Sequence, residues 1–119
     1  MKVAVTTQGQ EMSSAVDPRF GRAQWIAIVE TETGDFQVHD NTVNLNIAQG
    51  AGIQTAKRVI DLGATAVLTG NVGPKAFTTL NAAHVEIFLA SDTTVAGAIE
   101  ALKNGKLESV SQANVEGHW

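Results

Sequence analysis

The chain contains no cysteine. This absence excludes disulfide bonds, thiolate nucleophiles, and zinc or iron–sulfur sites that use cysteine ligands. A metal held by this protein would have to use oxygen or imidazole ligands, or make no direct bond to the protein at all.

Long apolar runs and an excess of positive charge are also missing. No stretch approaches the roughly 20 apolar residues that a membrane helix needs. The start, MKVAVTTQG, becomes polar too early for a secretory signal. The formal net charge of −4 argues against general nucleic-acid binding, which needs a basic surface against the phosphates. We therefore expect a cytoplasmic protein that has neither a membrane nor a nucleic acid as partner.

What the sequence does contain is enough apolar material for one domain. Hydrophobic residues make up 44% of the 119 residues, which is typical of globular proteins. No repeat, low-complexity tract or linker divides the chain. We expect residues 1–119 to form a single domain, with a tail of little pattern from about Lys106.

The hydrophobic pattern changes its period along the chain. Strand patterns cover 3–6, 25–30 and 36–39, and a helical pattern follows from about 52 to 63. Strands over 64–69 and 85–90 then alternate with helices that begin near Pro74 and near Thr93 or Thr94. The order β-β-β-α-β-α-β-α predicts an α/β fold of three layers around a mixed five-stranded sheet. Strand one should lie in the centre, with the hairpin of strands two and three on one side and two parallel strands on the other.

Three glycine-containing connections stand out in this arrangement. They cover Thr7–Gln24, Asp40–Gly52 and Thr69–Lys75. The first and third leave the carboxyl ends of strands one and four, where α/β proteins form their ligand crevices. We expect these two loops to lie together, with the helix start at GAG (50–52) nearby.

The residues of these loops suit a bulky anion. Arg19 and Arg22 lie in the stretch DPRFGRA (17–23), and Lys75 lies at a helix start. Helix N-termini attract anions through unpaired N–H groups, and glycines let a ligand approach the backbone. The sequence therefore predicts an anion site at this edge of the sheet.

The same residues permit a purely structural interpretation. Arg19 and Arg22 would then pair with Asp17 or Glu11, and Phe20 would anchor the loop. The glycines would serve ordinary turns, as they commonly do in α/β proteins. The pattern alone leaves both interpretations open.

No enzyme motif fits the chain. GNVGPK (70–75) lacks the spacing and the serine or threonine of a phosphate-binding loop. The first strand, VAVTT, lacks the carboxylate on which ribonuclease H-like nucleases bind metal. No nucleophile–base pair is visible, so we expect no catalytic residues. A metal-dependent hydrolase that uses Asp17 or Asp40 is the least favoured of the three functions that we consider. His39 and His118 are candidate metal ligands, although their spacing matches no metal motif.

Three longer stretches carry a family resemblance. They are VDPRFGRAQWIAIVE, GAGIQTAKRVIDLGATAVLTGNVGPKAFTTL and TTVAGAIEALKNGKL. Together they resemble the dinitrogenase iron–molybdenum cofactor biosynthesis family over about residues 1–107, and the joint pattern R-F-G-R-A, G-A-G and G-x-V-G-P is the specific part. The resemblance implies a ribonuclease H-like fold without nuclease activity, and a carrier or scaffold for a metal–sulfur cluster.

The resemblance also implies a cofactor and its site. Among stand-alone members, the chain is most similar to those that hold a molybdenum–copper sulfide cluster without covalent attachment. Such a cluster is an anion already saturated by its own sulfides, so it needs hydrogen-bond donors, positive charge and an apolar wall rather than thiolates. By the family's motifs, the cofactor-binding residues are Arg19, Gly21, Arg22, Gly50, Gly52, Asn71, Val72, Gly73 and Lys75.

Two alternatives accompany this interpretation. The first is an iron–molybdenum-type cluster: relatives in nitrogen fixation add histidine or cysteine ligands for it, and here only His39 and His118 could replace them. The second is a binding or regulatory module that recognises a phosphorylated metabolite or a partner protein through the same crevice. A cluster carrier further implies a protein that donates or accepts the cluster.

Overall fold

In the computed structural model, which describes residues 1–45 and 50–113, five strands form one mixed sheet. The strands are β1 (Lys2–Thr7), β2 (Trp25–Glu30), β3 (Phe36–Asp40), β4 (Ala66–Thr69) and β5 (Glu86–Leu89). Their order is β3-β2-β1-β4-β5, with β1 antiparallel to β2 and parallel to β4. The central position of strand one, the hairpin and the two parallel additions are as predicted.

Four helices connect or follow these strands within the described residues. They are α1 (Thr42–Leu45), α2 (Ala51–Asp61), α3 (Pro74–Ala82) and α4 (Val95–Lys103). Local chemistry explains their ends: Pro74 opens α3, Gly63 takes the left-handed conformation after α2 (φ 85°), and the Thr94 hydroxyl accepts a hydrogen bond from the Gly97 N–H. The short α1 was not predicted, because the sequence there reads as a connection. No described helix has both the length and the apolar character that crossing a membrane requires.

The alternation of side chains along the central strand separates two cores. Val3 and Val5 pack on the face that α4 covers, whereas Ala4 packs on the face that α2 and α3 cover. Each face carries its own cluster of buried aliphatic side chains, so the molecule has three layers, with the sheet in the middle. The predicted α/β architecture is confirmed.

Part of the segment after α4 is ordered, although its sequence shows little pattern. Residues 107–110 run antiparallel beside β5. Phe88 pairs with Ser109, and the Val110 N–H donates to the Ile87 carbonyl at 2.9 Å. Leu107 and Val110 pack against the two cores on opposite faces. This pairing depends on partners about 20 residues away, and therefore it left no local periodicity to read.

Candidate functional site

A loop after β1 lies across the carboxyl ends of β1 and β4. The Asp17 N–H donates to the Thr6 carbonyl at 2.8 Å. The Thr6 hydroxyl lies 2.7 Å from the Asp17 carbonyl oxygen and 2.8 Å from the Thr69 hydroxyl. Because a hydroxyl carries a single proton, Thr6 donates to the carbonyl and Thr69 donates to Thr6. All three residues are buried, so this chain of hydrogen bonds fixes the base of the loop to both strands.

The first arginine of the loop is held by the aspartate that begins it. The buried Asp17 carboxylate accepts hydrogen bonds from the Arg19 N–H at 2.9 Å and from Arg19 Nε at 3.4 Å. The structural pairing of Arg19 with Asp17 is therefore present. The Arg19 side chain is nevertheless 49% exposed, so this pairing leaves about half of the side chain in contact with solvent. One arginine can thus be oriented by a carboxylate and still present donors outward.

The second half of the loop forms a single 3₁₀ turn over Phe20–Arg22. Phe20 is completely buried in the core beneath α2 and α3, which confirms that it anchors the loop. Gly21 is also buried, whereas Arg22 is partly exposed, and the Arg22 N–H donates to the Arg19 carbonyl at 3.3 Å. The turn packs against α2.

The turn between β4 and α3 pairs with this loop, as the sequence predicted. Arg19 and Asn71 form a parallel bridge, and the Phe20 N–H donates to the Asn71 carbonyl at 3.3 Å. The Asn71 side-chain amide donates to the Pro18 carbonyl at 3.1 Å. Val72 and Gly73 follow, both buried, and Gly73 is the N-cap of α3.

Sequence reasoning missed the residue that makes this pairing possible. A Cβ atom added to Gly70 would lie 2.7 Å from Pro18 Cα and 2.8 Å from Pro18 Cβ, closer than side chains are ever found. The two backbones can approach this closely only because Gly70 has no side chain. Its position directly after a buried strand was the available signal, but glycine is common in such turns.

The start of α2 forms the third part of the site. Gly50 is its N-cap in the left-handed conformation (φ 81°), and the half-buried Gly52 lies in the first turn. Ile53 lines a shallow depression of about 330 Å³ together with Pro74, Lys75, Thr78 and Thr79. The N-terminal ends of α2 and α3 therefore lie side by side.

The electrostatics of this edge favour an anion. Neither α2 nor α3 carries an acidic residue in its first turn, so no carboxylate of those turns offsets the partial positive charge of the helix starts. Lys75 is exposed at the start of α3, and Arg19 is about half exposed on the loop that pairs with the preceding turn. The residues proposed for the site thus come from three adjoining segments, and their mutual orientation toward a ligand remains a prediction.

The candidate metal ligands give a different result. His39 lies on β3 opposite Ile26; burial and then the charge of Arg58 lower the pKa of this imidazole below its ordinary value. Across residues 1–45 and 50–113, no group of three or more histidine, cysteine, aspartate or glutamate side chains could hold a metal ion. His118 lies outside the described residues.

The two carboxylates considered for a hydrolase have local partners. Asp17 is engaged by Arg19, as described above. Asp40 Oδ1 accepts a hydrogen bond from the Thr42 N–H at 2.7 Å. Hydrogen bonds from the Thr42 side chain and then its backbone lower the pKa of Asp40. Both carboxylates thus organise turns.

These features define a class: a three-layer α/β protein that carries cationic side chains and two glycine-capped helix starts at one edge of its sheet. Residues 1–105 match the dinitrogenase iron-molybdenum cofactor family, and the chain belongs to that family. Members of this family bind cofactors or take part in their biosynthesis, and the family is not a clearly catalytic one.

Two solved structures and one further protein are similar over nearly their full length. The apo form of the orange protein (ORP) from Desulfovibrio gigas is 35% identical, with 96% of each chain covered and a TM-score of 0.94. A NifB-like protein from Thermotoga is also 35% identical, with 98% of each chain covered and a TM-score of 0.84. An uncharacterised protein from Methanocaldococcus jannaschii is 30% identical over 91% of this chain and 90% of its own.

Proposed function

We propose that the protein is a non-enzymatic carrier of an anionic molybdenum-containing sulfide cluster, namely a molybdenum–copper sulfide cluster held without covalent bonds. One observation carries the proposal. The chain belongs to a cofactor-binding family and contains no cysteine, and its described residues include no group of three or more side chains that could hold a metal ion. It does bring arginine and lysine side chains to one edge of the sheet, together with two helix starts that carry no acidic residue. A cluster that supplies its own sulfide ligands is the metal cofactor that such an edge suits.

The roles of the individual residues follow from their places. Arg19 offers the outward part of its guanidinium, and Lys75 offers an exposed ammonium at the start of α3. The first-turn N–H groups of α2 and α3 add donors that have no partner within their own helices. Ile53 and Pro74 supply apolar surface for the sulfides. Gly50 and Gly52 leave the backbone accessible at the start of α2.

The available interactions are of the right size for reversible binding. A hydrogen bond to a charged group contributes roughly 1.5–3 kcal/mol net. About four of them offset the roughly 8 kcal/mol that corresponds to micromolar affinity, before ordering costs are subtracted. A carrier must release its cargo to an acceptor protein, so this affinity suits a carrier.

The test is a titration of the metal-free protein with tetrathiomolybdate and copper(II), monitored by visible absorption and followed by gel filtration. We expect a charge-transfer band and both metals to co-elute with the wild-type protein, and much less with the Arg19→Ala/Arg22→Ala variant. The control is Lys103→Ala/Lys106→Ala, which removes the same charge from exposed positions at and beyond the end of α4. Colour that stays in the small-molecule fractions with wild-type protein would refute this cluster as the ligand.

The second candidate function is recognition of a phosphorylated metabolite or a partner protein. It is favoured by the same two helix starts, because phosphate binds helix N-termini through the same N–H groups. In that case phosphate compounds would raise the melting temperature and tetrathiomolybdate with copper would not. An iron–molybdenum-type cluster remains the alternative cargo, and its binding would depend on His39 or His118.

A further inference from the structure

A buried amide side chain joins two segments of the candidate site. Asn41, directly after β3, is completely buried. Its Nδ2 donates to the Ala23 carbonyl at 3.0 Å and to the Thr55 hydroxyl at 3.2 Å. Its Oδ1 accepts a hydrogen bond from Asn44 Nδ2 at 2.8 Å. Both amide protons and the side-chain oxygen are therefore engaged, which removes the cost of burying the group.

The partners of Asn41 belong to two segments of the candidate site. Ala23 directly follows Arg22, the last residue of the 3₁₀ turn. Thr55 lies one turn after the start of α2 and is completely buried. The backbone of Asn41 adds a third tie, because its N–H donates to the Gln24 carbonyl at 2.8 Å. One side chain thus bridges the end of the arginine loop and the first turns of α2.

We infer that Asn41 and Thr55 are positioning residues that set the spacing between Arg22 and the start of α2. This inference rests on the proposed function, since the spacing matters only if one anion contacts both Arg22 and the start of α2. Phe20 anchors the 3₁₀ turn in the core by apolar packing, and the hydrogen bonds of Asn41 add a fixed distance and direction between buried groups. The pair therefore determines the size of the anion that the crevice accepts.

The experiment compares four variants with the wild-type protein. Asn41→Ala removes the bridge, Thr55→Val removes one acceptor while keeping the shape, and Thr55→Ser keeps the hydroxyl. Val5→Ala is the control, because Val5 is equally buried but lies on the α4 face of the sheet. Each variant is titrated with tetrathiomolybdate and copper(II) at a temperature where it is folded, and the hydrogen exchange of the Arg22 amide is measured without ligand.

We expect the dissociation constant to rise about tenfold in Asn41→Ala, which loses all three side-chain hydrogen bonds of Asn41, and about threefold in Thr55→Val, which loses one of them. Thr55→Ser and Val5→Ala should bind as the wild type does. The Arg22 amide should exchange faster in Asn41→Ala and Thr55→Val than in Val5→Ala. If Asn41→Ala does not fold, the comparison of Thr55→Val with Thr55→Ser tests the positioning role by itself.

The possible failures are distinguishable. A wild-type protein that binds no cluster overturns the proposed function, and this inference with it. A wild-type protein that binds the cluster, with Asn41→Ala or Thr55→Val indistinguishable from Val5→Ala in both affinity and exchange, overturns only the positioning role.

Discussion

Replacing Gly70 by alanine should disturb the candidate site directly, by forcing apart the two loops that meet there. The new Cβ would lie 2.7 Å from Pro18 Cα, and ordinary van der Waals contact begins at 3.4 Å. The nearest atoms belong to the proline backbone and ring, which cannot rotate out of the way as a flexible side chain would. Either the loop that carries the arginines or the turn before α3 has to move by about 0.7 Å, which is the overpacking that destabilises well-packed interiors.

The expected cost is about 1–3 kcal/mol of unfolding free energy, as for other overpacked sites. For a chain of this size that corresponds to a melting temperature lower by roughly 4–12 °C. The shift also separates Arg19 from Asn71, so cluster binding should weaken together with stability.

Gly34→Ala is the matched control for this variant. Gly34 has a left-handed backbone (φ 80°) but no atoms within 4 Å of an added Cβ, so alanine there costs conformational energy, about 1–2 kcal/mol, without a clash. It lies in the β2–β3 turn, at the opposite edge of the sheet from the loop. Urea unfolding measures stability, and the thiomolybdate–copper titration measures binding. A Gly70→Ala protein within about 0.5 kcal/mol of wild type, or one that binds the cluster as well as Gly34→Ala does, would show that the close approach has no such role.

Three further predictions follow from other parts of the structure. Truncation after Lys106 removes the packing of Leu107 and Val110, and should lower the free energy of unfolding in urea by about 2 kcal/mol. It also exposes the edge of β5, so gel filtration should show self-association. Unchanged stability would contradict the role of this segment. Thr6→Val leaves the Asp17 carbonyl and the Thr69 hydroxyl without their buried partner. By the same assay, the free energy of unfolding should fall by about 1–3 kcal/mol. A change near zero would show that this chain of hydrogen bonds is unimportant for stability. The pKa of His39 is lowered in the folded protein, so its contribution to stability is present above the ordinary value of 6.5 and is lost as the pH falls. Urea unfolding between about pH 7.5 and 5 should therefore show a loss of stability that is smaller in His39→Gln, and equal losses would refute this.

The secondary structure could be predicted from the sequence because its causes are local. Apolar runs define β1 and β2, and an alternating pattern defines β3. The apolar stripe of α2 stops just before Gly63, whose left-handed backbone ends the helix. Pro74 and Thr94 mark helix starts through their own backbone and side-chain chemistry. The helix α1 was missed, since four residues are too short for a period to be recognised.

Part of the candidate site was predictable from topology alone. The carboxyl ends of parallel strands meet at one edge, so the loops after β1 and β4 had to be neighbours once β1 was placed beside β4. The sequence also supplied the arginines, the lysine and the glycine-bounded helix starts. It could not decide between Arg19 as an anion donor and Arg19 as a partner of Asp17, and the structure shows the second while leaving half of the side chain exposed.

By itself, then, the sequence determined the order of elements, the central strand, the absence of thiolate chemistry and the stretches that carry the family. Only the tertiary structure decided that Gly70 is a contact point, that Asn41 joins Ala23 to Thr55, and that residues 107–110 run beside β5. The physical reason is the same in each case. Hydrophobic periodicity and turn chemistry act between neighbours in the chain and leave a pattern there, whereas close approach and buried hydrogen bonds join residues far apart in sequence and leave none.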